Sequence, residues 1–247
     1  MQLIPVLDLL LGCVVRGVAG QRETYRPLVS RLVDSATPLT VATALRRTFG
    51  FTQMYVADLD GIVTDRPQWD VLKELAADGW HLLVDAGVRT PDRAERLWQC
   101  GVTDVVLGLE TLSGEQDLER IVRRHSSSRL IFSLDLRAGI PIPGGPGWDS
   151  LDPLELVDRV HHLGITRLLV LDLTAVGMPS GVCTLELCRE IRRRTAGLTL
   201  LTGGGVRSLE DLHALEQAGL DGVLIASALH DGRLTPAQVA RFCSTGS

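Results

Sequence analysis

Asp85-Ala86-Gly87-Val88-Arg89 returns 118 residues later as Gly203-Gly204-Gly205-Val206-Arg207. Each copy follows an apolar run that reads as a buried strand and precedes a helical pattern and a second apolar run. The match holds for about thirty residues, pairing Leu97 with Leu215, Gln99 with Gln217, Gly101 with Gly219, Val105 with Val223 and Gly114 with Gly232. Solenoid units repeat every ~20–50 residues. A repeat of this length is therefore a half-domain used twice.

Working outward, eight apolar, β-branched-rich runs recur at 3–9, 53–60, 81–87, 104–110, 130–136, 167–173, 198–204 and 222–228. Several lack polar alternation, as strands buried on both faces do. Helical patterns lie between and after them, at 38–49, 68–78, 91–100, 115–124, 153–163, 183–195, 208–218 and 235–243. Pro38, Pro91 and Pro153 sit near helix starts, where the fixed φ of proline is tolerated. Strict β-then-α alternation, eight times, predicts an α/β protein: a (β/α)8 TIM barrel. An open doubly wound sheet is the alternative, and the repeat favours closure. No linker divides the chain, so residues 1–247 are expected to form one domain, with half-barrels at about 1–124 and 125–247.

The 25 basic and 30 acidic residues give a net charge of −5, and no basic run suggests a nucleic-acid face. No apolar run approaches the ~20 residues of a membrane span. The apolar start carries Asp8 and no basic leader, unlike a signal peptide. Five cysteines without a CxxC pair suit thiols in a reducing compartment, so a cytoplasmic location is expected. The histidines show no metal-binding spacing, and no metal or organic cofactor is expected. Lys73 is the only lysine and lies in a helical pattern, which argues against Schiff-base chemistry. Oligomeric state is not legible.

In a barrel of this kind the active site forms at the C-terminal ends of the strands. Acids crowd those ends: Asp8, Asp58 and Asp60, Asp85, Glu110, Asp135 and Asp172. Any one could cap a loop or pair with an arginine. So many in one mouth are unfavourable unless used or neutralised. Asp8 and Asp135 occupy equivalent places, Val6-Leu7-Asp8-Leu9 and Ser133-Leu134-Asp135-Leu136, in the first and fifth strands. Those strands are opposite one another in an eight-stranded barrel. Two facing carboxylates can divide acid and base roles on one small substrate. Gly203-Gly204-Gly205 and Ala226-Ser227 end strands seven and eight, the usual barrel phosphate site, although a plain tight turn would read similarly. The long segments 11–37 and 137–152 are candidate lids or tolerated insertions.

Four stretches carry a resemblance across essentially the whole chain: IPVLDLLLGCVVRG, SLDLRAG, the Gly147-Trp148 pair and LLTGGGVRSLEDL with GVLIASALHDG. The chain resembles the histidine-biosynthesis barrel family of ribotide isomerases and imidazole-glycerol-phosphate synthase cyclases. It is closer to the isomerases through Gly12, Arg16 and Gly147-Trp148. The resemblance implies an Amadori rearrangement, aldose to ketose, without metal or organic cofactor, on a phosphorylated small molecule. It implies Asp8 as general base and Asp135 as general acid. Gly204, Gly205, Ala226 and Ser227 would hold a phosphate, Arg16 and Asp172 would bind substrate, and Trp148 would stack on a substrate ring or else anchor its loop.

The chain departs from the family pattern in the first half. Asp85 and Glu110 stand where a second phosphate should bind. At about 4 Å and an effective dielectric near 20, each like-charge contact costs on the order of 4 kcal/mol. Compensation is expected from Arg89 or Arg16. Leu171 replaces the family's threonine, and Val176-Gly177 its later Asp-Gly. One reading is therefore the ribotide isomerase reaction. A second is a paralogue acting on another, monophosphorylated metabolite of cofactor biosynthesis. A magnesium-dependent enzyme and a non-catalytic barrel are the remaining alternatives.

Overall fold

The computed structural model describes residues 1–148, 150–178 and 181–243. Eight parallel strands close into a barrel: β1 (Gln2–Leu10), β2 (Gln53–Asp58), β3 (His81–Asp85), β4 (Asp104–Gly108), β5 (Leu130–Arg137), β6 (Arg167–Asp172), β7 (Thr199–Gly203) and β8 (Gly222–Ile225). Each strand pairs with the next, and β8 returns to β1 from Gln2↔Gly222 to Pro5↔Ile225. The open-sheet alternative is thereby excluded.

Alternation along each strand divides the apolar residues between two cores. Ile4, Leu83, Ile131 and Leu201 from odd strands, with Tyr55, Val106, Leu169 and Leu224 from even ones, fill the barrel interior. The other faces pack against the surrounding helices, for instance Leu7, Val84 and Phe132 against Leu45, Leu72 and Leu118. This double burial explains the missing polar alternation.

The helices over Pro38–Phe49 and Glu115–Arg124 coincide with the expected spans. Several expected strands overrun, two of them into helices. The second ends at Asp58, whose side chain caps the helix Leu59–Thr64, and the eighth ends before the helix Ser227–His230. At the first of these Asp58 takes an amide that could not continue the ladder, whereas the helix after β8 has no side-chain cap. The segment after β1 is not a bare loop: Cys13–Arg16 folds back antiparallel on β1, pairing Val15 with Asp8, and Arg26–Pro27 pairs with it in turn.

The repeat is visible in the packing. Gly87 (φ +66°) and Gly205 (φ +77°) occupy equivalent turns. At each, a side-chain carbon would fall on a backbone carbonyl, that of Gly61 in the first half and Gly181 in the second. Both positions need glycine for conformation and for space.

Candidate active site

The strand-end acids fall into two groups, sorted by what their oxygens accept. Asp58 is buried and takes the amides of Gly61 (3.1 Å) and Gln68 (2.6 Å). Asp60 takes the Leu11 amide (2.8 Å) and the Gln68 side chain (2.8 Å). Asp172 takes the amides of Ala138 (3.2 Å), Gly139 (2.7 Å) and Thr174 (2.9 Å) and the Thr174 hydroxyl (2.6 Å). Burial alone would raise the Asp172 carboxyl, but the Thr174 and Gly139 hydrogen bonds hold it below its usual value. Asp172, expected at the substrate, ties the β5 and β6 loops together and lies off the wall of the main cavity.

Asp8, Asp85, Glu110 and Asp135 instead line one cavity at the C-terminal mouth of the barrel, about 890 Å³ counted to its opening. Asp8 reaches it from β1 and Asp135 from the opposite strand β5. The segment after β1 covers Asp8. A side-chain carbon on Gly17 would stand 2.9 Å from Asp8 Oδ2 and 3.5 Å from the Tyr25 hydroxyl. Burial pushes the Asp8 carboxyl up to about 6, against the Gly17 amide bond and the Arg22 charge. Asp135 is 3% exposed and accepts the Ser133 hydroxyl (2.6 Å) and the Glu110 amide (3.2 Å). Burial, then the charges of Glu110 and Asp85, lift its carboxyl well above the usual range. Asp85 is pushed up to about 7 by burial and by Glu110.

Gly108 brings two of these acids together. A side-chain carbon there would stand 3.1 Å from both Asp85 Oδ2 and Asp135 Oδ2, and 3.5 Å from Thr111 Oγ1. Its missing side chain is what makes room for the carboxylates. The cation that answers them is neither expected arginine. Arg89 turns to Asp65 (3.4 Å) and to the carbonyls of Gly87 and Ile62, while Arg16 forks onto Asp231 (2.9 and 3.0 Å). Arg22, from the segment after β1, pairs with Glu110. Arg22 sits in a stretch without periodicity, so nothing in the sequence aimed it at a residue 88 positions away.

At the opposite end, Gly204, Gly205, Ala226 and Ser227 share the cavity wall as expected. The amide hydrogens of Gly205 and Ser227 have no hydrogen-bond partner among the described residues. Arg233, missed in the sequence, donates to Ser227 Oγ (2.8 Å) and to Asp231 (3.2 Å). Arg16 lines a smaller adjoining cavity that also touches Asp8 and Ser227, and it pairs with Asp231.

The first-half counterparts of these amides are occupied. Gly87 N–H donates to Asp85 Oδ1 (3.1 Å), Leu109 N–H to the Ser133 carbonyl (2.9 Å) and Glu110 N–H to Asp135 Oδ2 (3.2 Å). Of the two roles expected for Trp148, substrate stacking or loop anchoring, the geometry shows the contacts of the second. It is 7% exposed, donates Nε1–H to the Leu112 carbonyl (3.1 Å) and packs on Phe132, centroids 5.9 Å apart. It lies in the helix-side core and anchors its loop, which also bridges Gly114 to Gly147. No described helix is long and apolar enough to cross a membrane.

Comparison with known proteins places this geometry in a context. The family model described as "Histidine biosynthesis protein" matches residues 2–235. An isomerase of Gemmatimonas aurantiaca, named for 1-(5-phosphoribosyl)-5-((5-phosphoribosylamino)methylideneamino)imidazole-4-carboxamide, is 33% identical over 241 residues, 96% of this chain and 97% of its own. The isomerase of the same name from Desulfitobacterium hafniense is 29% identical over 252 residues, 98% and 96% of the two chains. A protein of Methanocaldococcus jannaschii with no activity in its name is 32% identical over 236 residues, 95% of each chain.

Proposed function

The chain belongs to the histidine-biosynthesis protein family, and from that premise we propose that it is an isomerase carrying out an Amadori rearrangement of a phosphorylated aminosugar. The observation that carries this reading is one cavity holding Asp8 and Asp135, from opposite strands, beside the glycine turn and Ser227. Asp135, held protonated by burial and its acidic neighbours, gives a proton to the ring oxygen of the aminoaldose. The ring opens to a protonated imine. Asp8, ionised above about pH 6, takes the proton from the adjacent carbon. The resulting enolamine tautomerises to the aminoketose, so atoms and protons balance without an external oxidant. The amides of Gly205 and Ser227, with Arg233 alongside, anchor the phosphate.

The test is turnover of the ribotide named in the relatives, together with rescue of a histidine auxotroph lacking its isomerase. Wild-type protein should rescue, and Asp8→Asn and Asp135→Asn should each lose activity by about 100-fold or more. Full activity in both variants would refute the assignment.

A second reading has its own observation. The first-half amides are taken by Asp85, Asp135 and a carbonyl, and two further acids face the cavity. This favours a substrate with one phosphate rather than two, as a paralogue in cofactor biosynthesis would use. Failure to rescue, with inorganic phosphate bound at the β7–β8 end alone, supports this reading. Phosphate at both ends rejects it.

A further inference from the structure

The β3–β4 end of the cavity has a chemistry of its own. Its acids outnumber its cations: Asp8, Asp85, Glu110 and Asp135 face one guanidinium, that of Arg22. Arg22 is paired with Glu110 and lies near enough to Asp8 and Asp85 for its charge to act on both. Thr111 adds an independent sign of a missing partner. It is 3% exposed, and its Oγ1 has no hydrogen-bond partner among the described residues. That oxygen faces the point beside Gly108 where the Asp85 and Asp135 carboxylates converge. Buried hydroxyls are normally satisfied, so an orphan beside two carboxylates marks a place where a hydrogen-bonding partner is due.

We propose that this end of the cavity is a subsite for a protonated amino group of the substrate, which takes the place of the Arg22 guanidinium against Glu110 and Asp85. This rests on the reading of the cavity as a catalytic site anchored at its other end by phosphate. An ammonium group offers three donors and no acceptor, the complement of carboxylates and a hydroxyl oxygen. A phosphate dianion meets the reverse: occupied amides and like charge. Among the described residues, no three His, Cys, Asp or Glu side chains converge as metal ligands. A compact ammonium ion, which needs no fixed coordination sphere, suits this spacing better than a divalent cation. Arg22 shows that a cation is accommodated here and offsets part of the negative charge when no amine is bound.

The test is calorimetry on the full chain with three probe series of matched length: ω-aminoalkyl phosphates, alkyl phosphates and alkyl bisphosphates. The best aminoalkyl phosphate should bind at least tenfold tighter than the alkyl phosphate of equal length. Glu110→Gln and Asp85→Asn should each remove most of that difference. Arg22→Ala, which removes the competing cation, should strengthen aminoalkyl phosphate binding several-fold, a gain that misfolding cannot imitate. A preference for the bisphosphate, or weaker amine binding in Arg22→Ala, overturns the proposal. If alkyl phosphates do not bind at all, the phosphate anchor fails by itself. The subsite is then read with butylammonium by NMR titration: binding that Arg22→Ala strengthens and Glu110→Gln abolishes upholds it, and no binding overturns it.

Discussion

Asp8, Asp85 and Asp135 carry the same functional group into three environments, and the environment sets the role. For catalysis, Asp8 must be ionised and Asp135 protonated. kcat/KM is therefore expected to rise through about pH 6 and to fall on the alkaline side as Asp135 loses its proton. A pH profile of the free enzyme checks this, and a flat profile from pH 5 to 9 contradicts it. Asp85 makes a separate prediction about stability. It binds its proton more tightly folded, near 7, than unfolded, near 3.8. The fold has that advantage in full below about pH 4 and loses it as pH rises through 7. At about 1.4 kcal/mol per unit, the loss is on the order of a few kcal/mol. Asp85→Asn should thus stabilise the protein at pH 8 and not at pH 4, measured by urea unfolding at both. Equal effects at the two pH values would mean that Asp85 ionises as freely folded as unfolded.

Among the elements, Trp148 ties its loop to the core through Leu112 and Phe132. Trp148→Ala removes the Phe132 contact and orphans the Leu112 carbonyl, so a loss of roughly 3–5 kcal/mol is expected. Trp148→Phe keeps most of the packing. It should lower stability by about 1–3 kcal/mol and leave kcat within about twofold. A large fall in kcat for a well-folded Trp148→Phe would restore the stacking role. The glycine turns make the matching prediction for the repeat. Gly87→Ala and Gly205→Ala should each cost more than the ~1–2 kcal/mol of a left-handed alanine, because a carbonyl occupies the site of the new carbon. Thermal unfolding of both variants measures this. Helices such as Pro38–Phe49 were legible because proline, periodicity and a glycine stop are local signals. The fold-back of Cys13–Arg16 onto β1 was not, because its pairing partner is set by the path of the chain around Asp8.

For the molecule as a whole, two strand pairings join residues 1–124 to residues 125–247, β4 to β5 and β8 to β1. Either segment alone leaves two apolar strands without a partner on one side, a state prone to association. Residues 1–124 and 125–247 produced separately are expected to form dimers or aggregates. Co-expressed, they should reassemble and regain activity, since Asp8 lies in one half and Asp135 in the other. Size-exclusion chromatography and turnover of the mixture check this; a monomeric, folded half without its partner would show that closure is not needed.

The eight barrel strands, the main helices between them and the placing of Asp8 and Asp135 on facing strands were legible from the chain, because burial on both faces, helix punctuation and a 118-residue echo are written along it. It also brought Gly204, Gly205, Ala226 and Ser227 to one place, since in a closed barrel neighbouring strand ends are neighbours in space. Only the tertiary structure decided which acids face the cavity and which are capped, that Trp148 turns inward, and that Arg22 rather than Arg16 or Arg89 answers Glu110. A carboxylate's role depends on the donors that reach it. Those donors come from loops far along the chain, whose course follows from closure of the barrel rather than from any local pattern.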